Sequence, residues 1–436
     1  MGHLVGKDLY RQLGSKIDAL TLRAPYNETL HEILTALYSE EEADLVLRMP
    51  YGLSTLGRLQ RTTGLEPRHL ERVLESLCHK GLVMDVLVGG KLRYLPSPMA
   101  IGIFEFTMMR TDAGVDSARM AKLFKDYLGS GATWRANLAD GQQLQLMRTL
   151  PHEGTLFPDE HVEVLDYDKA SAIVDGHSQH AIGICSCRHE KHHTGDKACD
   201  HPLGKCMSMG TGAEFLIRRG FARSVTKQEM LEELADSREK GLVFNADNVQ
   251  RGVGYICNCC GCCCNVLLGI SKHGFAHTVV TSSYLARSDD ASCDGCGHCK
   301  KACPIHAIRL ERLATPVDKK RFTPVVDEEL CIGCGVCAQR CPTGSMRLHA
   351  RPQRVIPPAT TFERVILQCL EAGTLQNQLF DDPTRVTHQF LRGFVGAVLR
   401  LPPVKQALLS DSLRSRFLDA LKGGAARTGN KAALEF

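Results

Sequence analysis

The chain has 436 residues, of which 43% are hydrophobic and 23% charged, with a net charge of +4. The length predicts roughly two to four folded units, and so small a positive excess gives no global argument for nucleic-acid binding, which needs a basic face. Twenty cysteines point to metal, because disulfide-rich scaffolds are short chains.

The first eight residues lack the apolar core of a signal peptide and the Ser or Thr of a myristoylation signal. No run of about 18 apolar residues suggests a membrane span. The nearest, 390–404, is interrupted by Arg392 and Arg400. Reduced thiols in a cytoplasmic protein are the expectation, with peripheral membrane docking through the C-terminal helices left open.

In chain order, residues 29–99 read as helices followed by a hairpin. Apolar spacing predicts helices over 40–49, 54–62 and 66–80, with Gly81 ending the last. Residues 82–87 and 91–95 flank Gly89-Gly90, a hairpin signal. This order resembles the winged-helix superfamily, which implies DNA. The helix in the recognition position carries Glu66, Arg68, Glu71, Arg72, Glu75 and Lys80, three of each sign. Phosphate contacts need a positive surplus, so a protein-docking or dimerisation module is the favoured expectation and DNA the disfavoured one.

Residues 129–141 read as a linker rich in glycine and small residues. A short apolar strand over 181–184 runs into Cys185. A helix over 226–240 carries a Thr226/Glu229 capping box and ends at Gly241. Residues 361–421 read as helical, basic after Leu391, and broken at Pro402-Pro403.

Three cysteine constellations carry chemistry. The first is a tandem repeat: Cys293, Cys296, Cys299 and Cys303-Pro304, then Cys331, Cys334, Cys337 and Cys341-Pro342. Three thiolates two residues apart can wrap one corner of a cubane, and intervening glycines let the backbone approach the sulfides. In this bacterial ferredoxin spacing the fourth cysteine ligates the other cluster. That crossing groups Cys293, Cys296, Cys299 and Cys341 on one 4Fe–4S cluster, and Cys331, Cys334, Cys337 and Cys303 on the other.

The second constellation is Cys185, Cys187, Cys199 and Cys206, enough for one cluster or one zinc. Arg188, Lys191, His192 and His193 supply positive neighbours that favour thiolates. A Cys-x-Cys start is less typical of zinc, so a third cluster is expected. His189, His192 and His193 read as solvated.

The third is Cys257, Cys259, Cys260, Cys262, Cys263 and Cys264, six thiols in eight residues. They cannot all reach one metal from one strand. Some must point the other way, serving a fourth cluster here and lending ligands to the Cys185 site. The alternative is a larger or non-cubane cluster, or a reactive thiol group. Cys78 and Cys369 stand alone in amphipathic helices and read as core.

The winged-helix-like start, Ile184-Cys185-Ser186-Cys187-Arg188, the 256–264 run and the two repeats together resemble a family of multi-cluster ferredoxin-type proteins of anaerobic bacteria. Ala24-Pro25, Met108-Met109-Arg110 and residues 401–405 add to the likeness. The resemblance implies electron transfer without a defined substrate.

The fold class expected is α+β multidomain. The units are a winged-helix-like domain over 1–128, a cysteine-rich iron–sulfur domain over 129–280, a two-cluster ferredoxin (βαββαβ) module over 281–352, and C-terminal helices over 353–436. No dinucleotide fingerprint or P-loop is present. The functional expectation is an electron-transfer subunit, with two 4Fe–4S clusters and up to four, serving a partner oxidoreductase. The competing readings are a redox-sensing DNA-binding regulator and an iron–sulfur enzyme with a substrate site near 257–264.

Overall fold

A computed structural model describes residues 2–112, 114–138, 142–157, 165–317 and 320–427. The first unit consists of helices Gly2–Asp18, Glu28–Leu37, Glu40–Arg48, Leu56–Thr63 and Pro67–His79, then the hairpin β1 (Val83–Val88) and β2 (Lys91–Pro96). The helix starts follow from their caps. Asn27, Ser39, Thr55 and Glu66 each accept an amide hydrogen from the first turn, and Ser39 and Glu42 close a capping box. Helix Pro67–His79 buries Leu70, Val73, Leu74, Leu77 and Cys78, a stripe at helical spacing. Cys78 is therefore core, as expected.

Residues 129–141, expected as a linker, contain the helix Ala132–Leu138 instead. Trp134 and Leu138, four residues apart, share a buried cluster with Leu22, Leu144 and Leu146. Asn137 also exchanges hydrogen bonds with the backbone of Arg23, 3.0 and 2.9 Å. The small residues around this segment obscured an apolar face only two side chains wide. Residues 139–141 lie outside the described residues.

A six-stranded antiparallel sheet follows, with strands β3 (Met147–Leu150), β4 (His180–Gly183), β5 (Cys206–Met209), β6 (Ala222–Ser224), β7 (Val243–Asp247) and β8 (Tyr255–Cys259). Their spatial order is β3-β7-β8-β5-β4-β6. Side chains alternate between its faces. Ile182, Met207, Phe244, Ala246 and Ile256 join one apolar core with Met230 and Leu234 of helix Lys227–Glu239. That helix carries the expected capping box. The register Cys206↔Cys257 and Val243↔Cys259 puts Cys206, Cys257 and Cys259 on the opposite face.

The third unit runs β9 (Tyr284–Ser288), helix His298–Ala302, β10 (Ile308–Val317), β11 (Lys320–Val326), helix Val336–Gln339 and β12 (Met346–Ala350). β9 pairs with β12, and β10 with β11, both antiparallel. Five helices close the described chain: Thr361–Ala372, Leu375–Leu379, Val386–Leu399, Pro402–Leu409 and Asp411–Arg427. Pro402-Pro403 separates two helices and also starts the second, where the missing amide hydrogens cost nothing. Cys369 is fully buried in this helical core. Arg58 grips Asp381 through two hydrogen bonds of 2.9 and 2.7 Å, and Arg364 reaches Asp247 at 3.0 Å, so the C-terminal segment clasps the first unit and the sheet. Among the described residues, no helix is long and apolar enough to cross a membrane.

One ion pair lies deep beside the sheet. Arg148, 2% exposed, donates to Asp168 at 2.8 Å. Removing one partner of such a pair leaves an uncompensated charge, a loss of about 3–5 kcal/mol. Asp168→Ala is therefore expected to lower the urea midpoint markedly, and an unchanged midpoint would show that the pair contributes nothing.

Candidate metal centres

All twenty cysteines are free thiols. Against the β9–β12 pair the cysteine loops leave two hollows. One is lined by Cys303, Cys331, Cys334 and Cys337. The other is lined by Cys293, Cys296, Cys299 and Cys341. Each takes three cysteines from one repeat and the fourth from the other. The loop backbones turn at glycines with left-handed φ, and at Gly333 the need is double. Its φ is +69°, and a Cβ there would stand 2.2 Å from both Ser282 Oγ and the Tyr284 carbonyl.

Donors converge on the sulfurs. The Ala307 amide donates to Cys303 Sγ at 3.2 Å and the Met346 amide to Cys341 Sγ at 3.4 Å. Burial raises Cys341, but hydrogen bonds from Ser345 and Met346 outweigh it and bring the thiol down to about 7. Burial first, then the neighbouring thiols, pushes Cys334 and Cys337 well up. The two hollows also differ in exposure. Cys303, Cys331, Cys334 and Cys337 are buried, whereas Cys296 is exposed and Cys293 and Cys341 are half-buried. Four thiols around an apolar hollow fit a cubane.

The upstream thiols come together by a different route. β4 ends at Gly183, and Cys185 then serves as N-cap residue of helix Ser186–His193. β8 ends at Cys259, and after a tight turn Cys264 is the N-cap residue of helix Asn265–Ser271. The sheet face carrying Cys206, Cys257 and Cys259 thus meets Cys185, Cys187 and Cys264 at two helix starts. Amides of Arg188 and Asn265 donate to Cys185 and Cys187. Cys264 interacts with Cys187 and Cys259, and Cys259 with Cys257. Burial first, then the neighbouring thiols, pushes Cys185 and Cys206 up to about 12.

Cys199 does not share that chamber. It stands 3.8 Å from Cys260 and 3.8 Å from Cys263, and Cys262 is 3.5 Å from Cys263. The structure therefore regroups the upstream cysteines. Cys257, Cys259 and Cys264 turn towards Cys185, Cys187 and Cys206, in line with the expectation that the run lends thiols to that site, whereas Cys199 leaves its expected set and joins Cys260, Cys262 and Cys263. The cause is the strand-then-turn course of 257–264: Cys257 and Cys259 follow the sheet, Cys260 to Cys263 swing outward, and Cys264 returns.

Arg188 is fully buried between the groups. It donates to the carbonyls of Pro202 and Asn258 at 2.9 and 3.0 Å and to Cys260 Sγ at 3.6 Å. The hydrogen bond from Cys263, with Arg188 beside it, draws Cys260 well down. Lys191 is spent on Glu190 at 2.7 Å and Asn265 at 3.0 Å. His189, expected in solvent, is buried, its Nδ1 2.6 Å from the Met108 carbonyl and its Nε2 2.9 Å from His193. His192 and His193 are exposed, as expected. Sequence reasoning missed Glu105, whose charge acts on Cys187 and Cys206. Burial raises its carboxyl to about 7. A lone carboxylate between Phe104 and Phe106 was the available signal.

The centres are contiguous. Cys259 and Cys264 belong to the same apolar cluster as Cys299, Cys303, Cys331, Cys334 and Cys337. Gly261 lies so close to the segment after Cys303 that a Cβ would be 2.5 Å from the Pro304 carbonyl.

Residues 292–345 match the family described as 4Fe-4S dicluster domain. No curated protein and no solved structure matches the chain. The match and the thiol-lined hollows support 4Fe–4S binding by an iron–sulfur protein of ferredoxin type. Gly261→Ala is expected to force the turn off Pro304 at an overpacking cost of about 1–3 kcal/mol. Thermal stability should fall while the iron bound by 292–345 is kept. An unaltered melting temperature would refute the contact.

Proposed function

We propose that the chain is an electron-transfer protein in which the six-thiol chamber and the two ferredoxin-type sites form one relay to a partner oxidoreductase. The observation that carries this reading is the shared packing of the chamber against the Cys303 hollow. Cys293, Cys296, Cys299 and Cys341 would hold one 4Fe–4S cluster, and Cys303, Cys331, Cys334 and Cys337 the second. A third would take four of Cys185, Cys187, Cys206, Cys257, Cys259 and Cys264. When bound, such clusters supply one-electron redox chemistry. The chain's own residues tune it: amide donors and Arg188 compensate anionic sulfur, while burial of the Cys303 set keeps water away. The exposed Cys296 marks the end at which a partner exchanges electrons, with Lys300 and Lys301 exposed beside it.

The order of elements from Leu56–Thr63 to β2 is that of a winged helix, and we read it as a packing unit. Its first strand holds buried Asp85 against Arg218 and Arg219, 3.2 and 2.7 Å, and Phe106 packs with Phe215 and Phe221 behind it. The helix in the recognition position spends Arg72 on Glu41 at 2.8 Å and Glu75 on Arg219. Those tethers favour protein docking over DNA.

Anaerobic purification followed by iron and sulfide analysis tests the relay. The reading predicts about twelve irons and about twelve sulfides per chain, falling by about four of each in Cys206→Ser or Cys257→Ser. About eight irons in the unaltered protein would confine the clusters to 292–345 and end the relay proposal.

A further inference from the structure

We propose that Cys199, Cys260, Cys262 and Cys263 form a mononuclear tetrathiolate site for zinc, distinct in kind from the cluster sites. All four sulfurs lie within 4.8 Å of one another, and three of the separations are 3.8, 3.8 and 3.5 Å. Four sulfurs each about 2.3 Å from one tetrahedral metal stand about 3.8 Å apart. The thiolates of a cubane bind four different irons at the corners of a cube and must stand further apart. The same molecule supplies the contrast. Among the described residues, no other group of three or more thiols draws together so closely, and the eight ferredoxin-type cysteines instead line two hollows.

The surroundings suit a compact anionic complex. A divalent ion with four thiolates carries a net charge of −2, and Arg188, 0% exposed, points Nη2 at Cys260 Sγ from 3.6 Å. Leu242 packs against the group from the apolar side. At equal availability a tetrahedral thiolate site takes zinc over ferrous iron, which stands lower in divalent-metal affinity. Coordination replaces the thiol protons that remain, which pass to solvent, with metal–sulfur bonds and involves no electron transfer. Its consequence is mechanical: the metal ties the loop bearing Cys199 to the 260–263 turn, whose two ends deliver Cys259 and Cys264 to the chamber. The inference does not depend on the electron-transfer reading.

The test uses the full chain purified anaerobically. Elemental analysis should give about one zinc per chain, and zinc K-edge absorption about four sulfurs near 2.3 Å with no iron neighbour. Cys199→Ser and Cys262→Ser should each lose the zinc and keep the sulfide content of the unaltered protein. Absence of zinc from the unaltered protein would overturn the proposal. So would a ferric tetrathiolate signal, or loss of about four irons and four sulfides in Cys199→Ser. Should the variants fail to fold, the absorption spectrum of the unaltered protein still decides the matter. Failure of the relay would appear in the iron and sulfide count, independently of zinc.

Discussion

The pairing of β5 with β8, Cys206 opposite Cys257, is the constraint on which the rest of the molecule depends. Side chains on paired strands alternate with a period of two. Once that register is set, Cys206, Cys257 and Cys259 must share a face, and Met207 and Ile256 must enter the apolar core behind it. A slip by one residue would bury the thiols among aliphatic side chains and expose the core. The same register also determines where β8 ends, and hence where the 260–263 turn leaves the sheet.

From that turn the chemistry divides. Residues on the sheet and at the helix starts bring six thiols together, two of them buried and four half-buried. Residues at the apex of the turn meet Cys199 in a tight group, with the buried Arg188 bridging the two through Cys260 and the Asn258 carbonyl. On its other side the turn packs on Pro304, one residue beyond the cysteine that crosses between the ferredoxin-type repeats. Backbone hydrogen bonds continue the join: the His152 amide donates to the Cys334 carbonyl at 3.0 Å, and the Ser282 amide to Ile332 at 3.0 Å. The Cys303 set is the buried middle of this arrangement, with Cys185, Cys187, Cys206 and Cys257 half-buried on one side and the solvent-facing Cys296 on the other.

Much of this was legible in the residues. The tandem repeats were recognisable because their cysteines are local, three within seven residues, and each hollow draws its fourth cysteine from the other repeat. The hairpin at Gly89-Gly90 and the Thr226/Glu229 box were legible for the same reason: each is a short-range physical signal. What could not be read was the partition of the upstream cysteines. Cys199 is 61 residues from Cys260, and only the sheet brings them together. Helix Ala132–Leu138 was hidden because two buried side chains, Trp134 and Leu138, outweigh the small residues around them. His189 looked solvated beside charged neighbours, yet the helix turns it inward onto Met108.

The central claim is that the chamber built on β5 and β8 belongs to the same chain of iron–sulfur sites as the ferredoxin-type repeats. Anomalous diffraction collected on both sides of the iron K edge, from crystals grown without oxygen, tests it most directly. The account predicts three iron-rich peaks: one among Cys293, Cys296, Cys299 and Cys341, one among Cys303, Cys331, Cys334 and Cys337, and one in the chamber bounded by Cys206, Cys257 and Cys264. Iron confined to the first two, with an iron-free chamber, would contradict it.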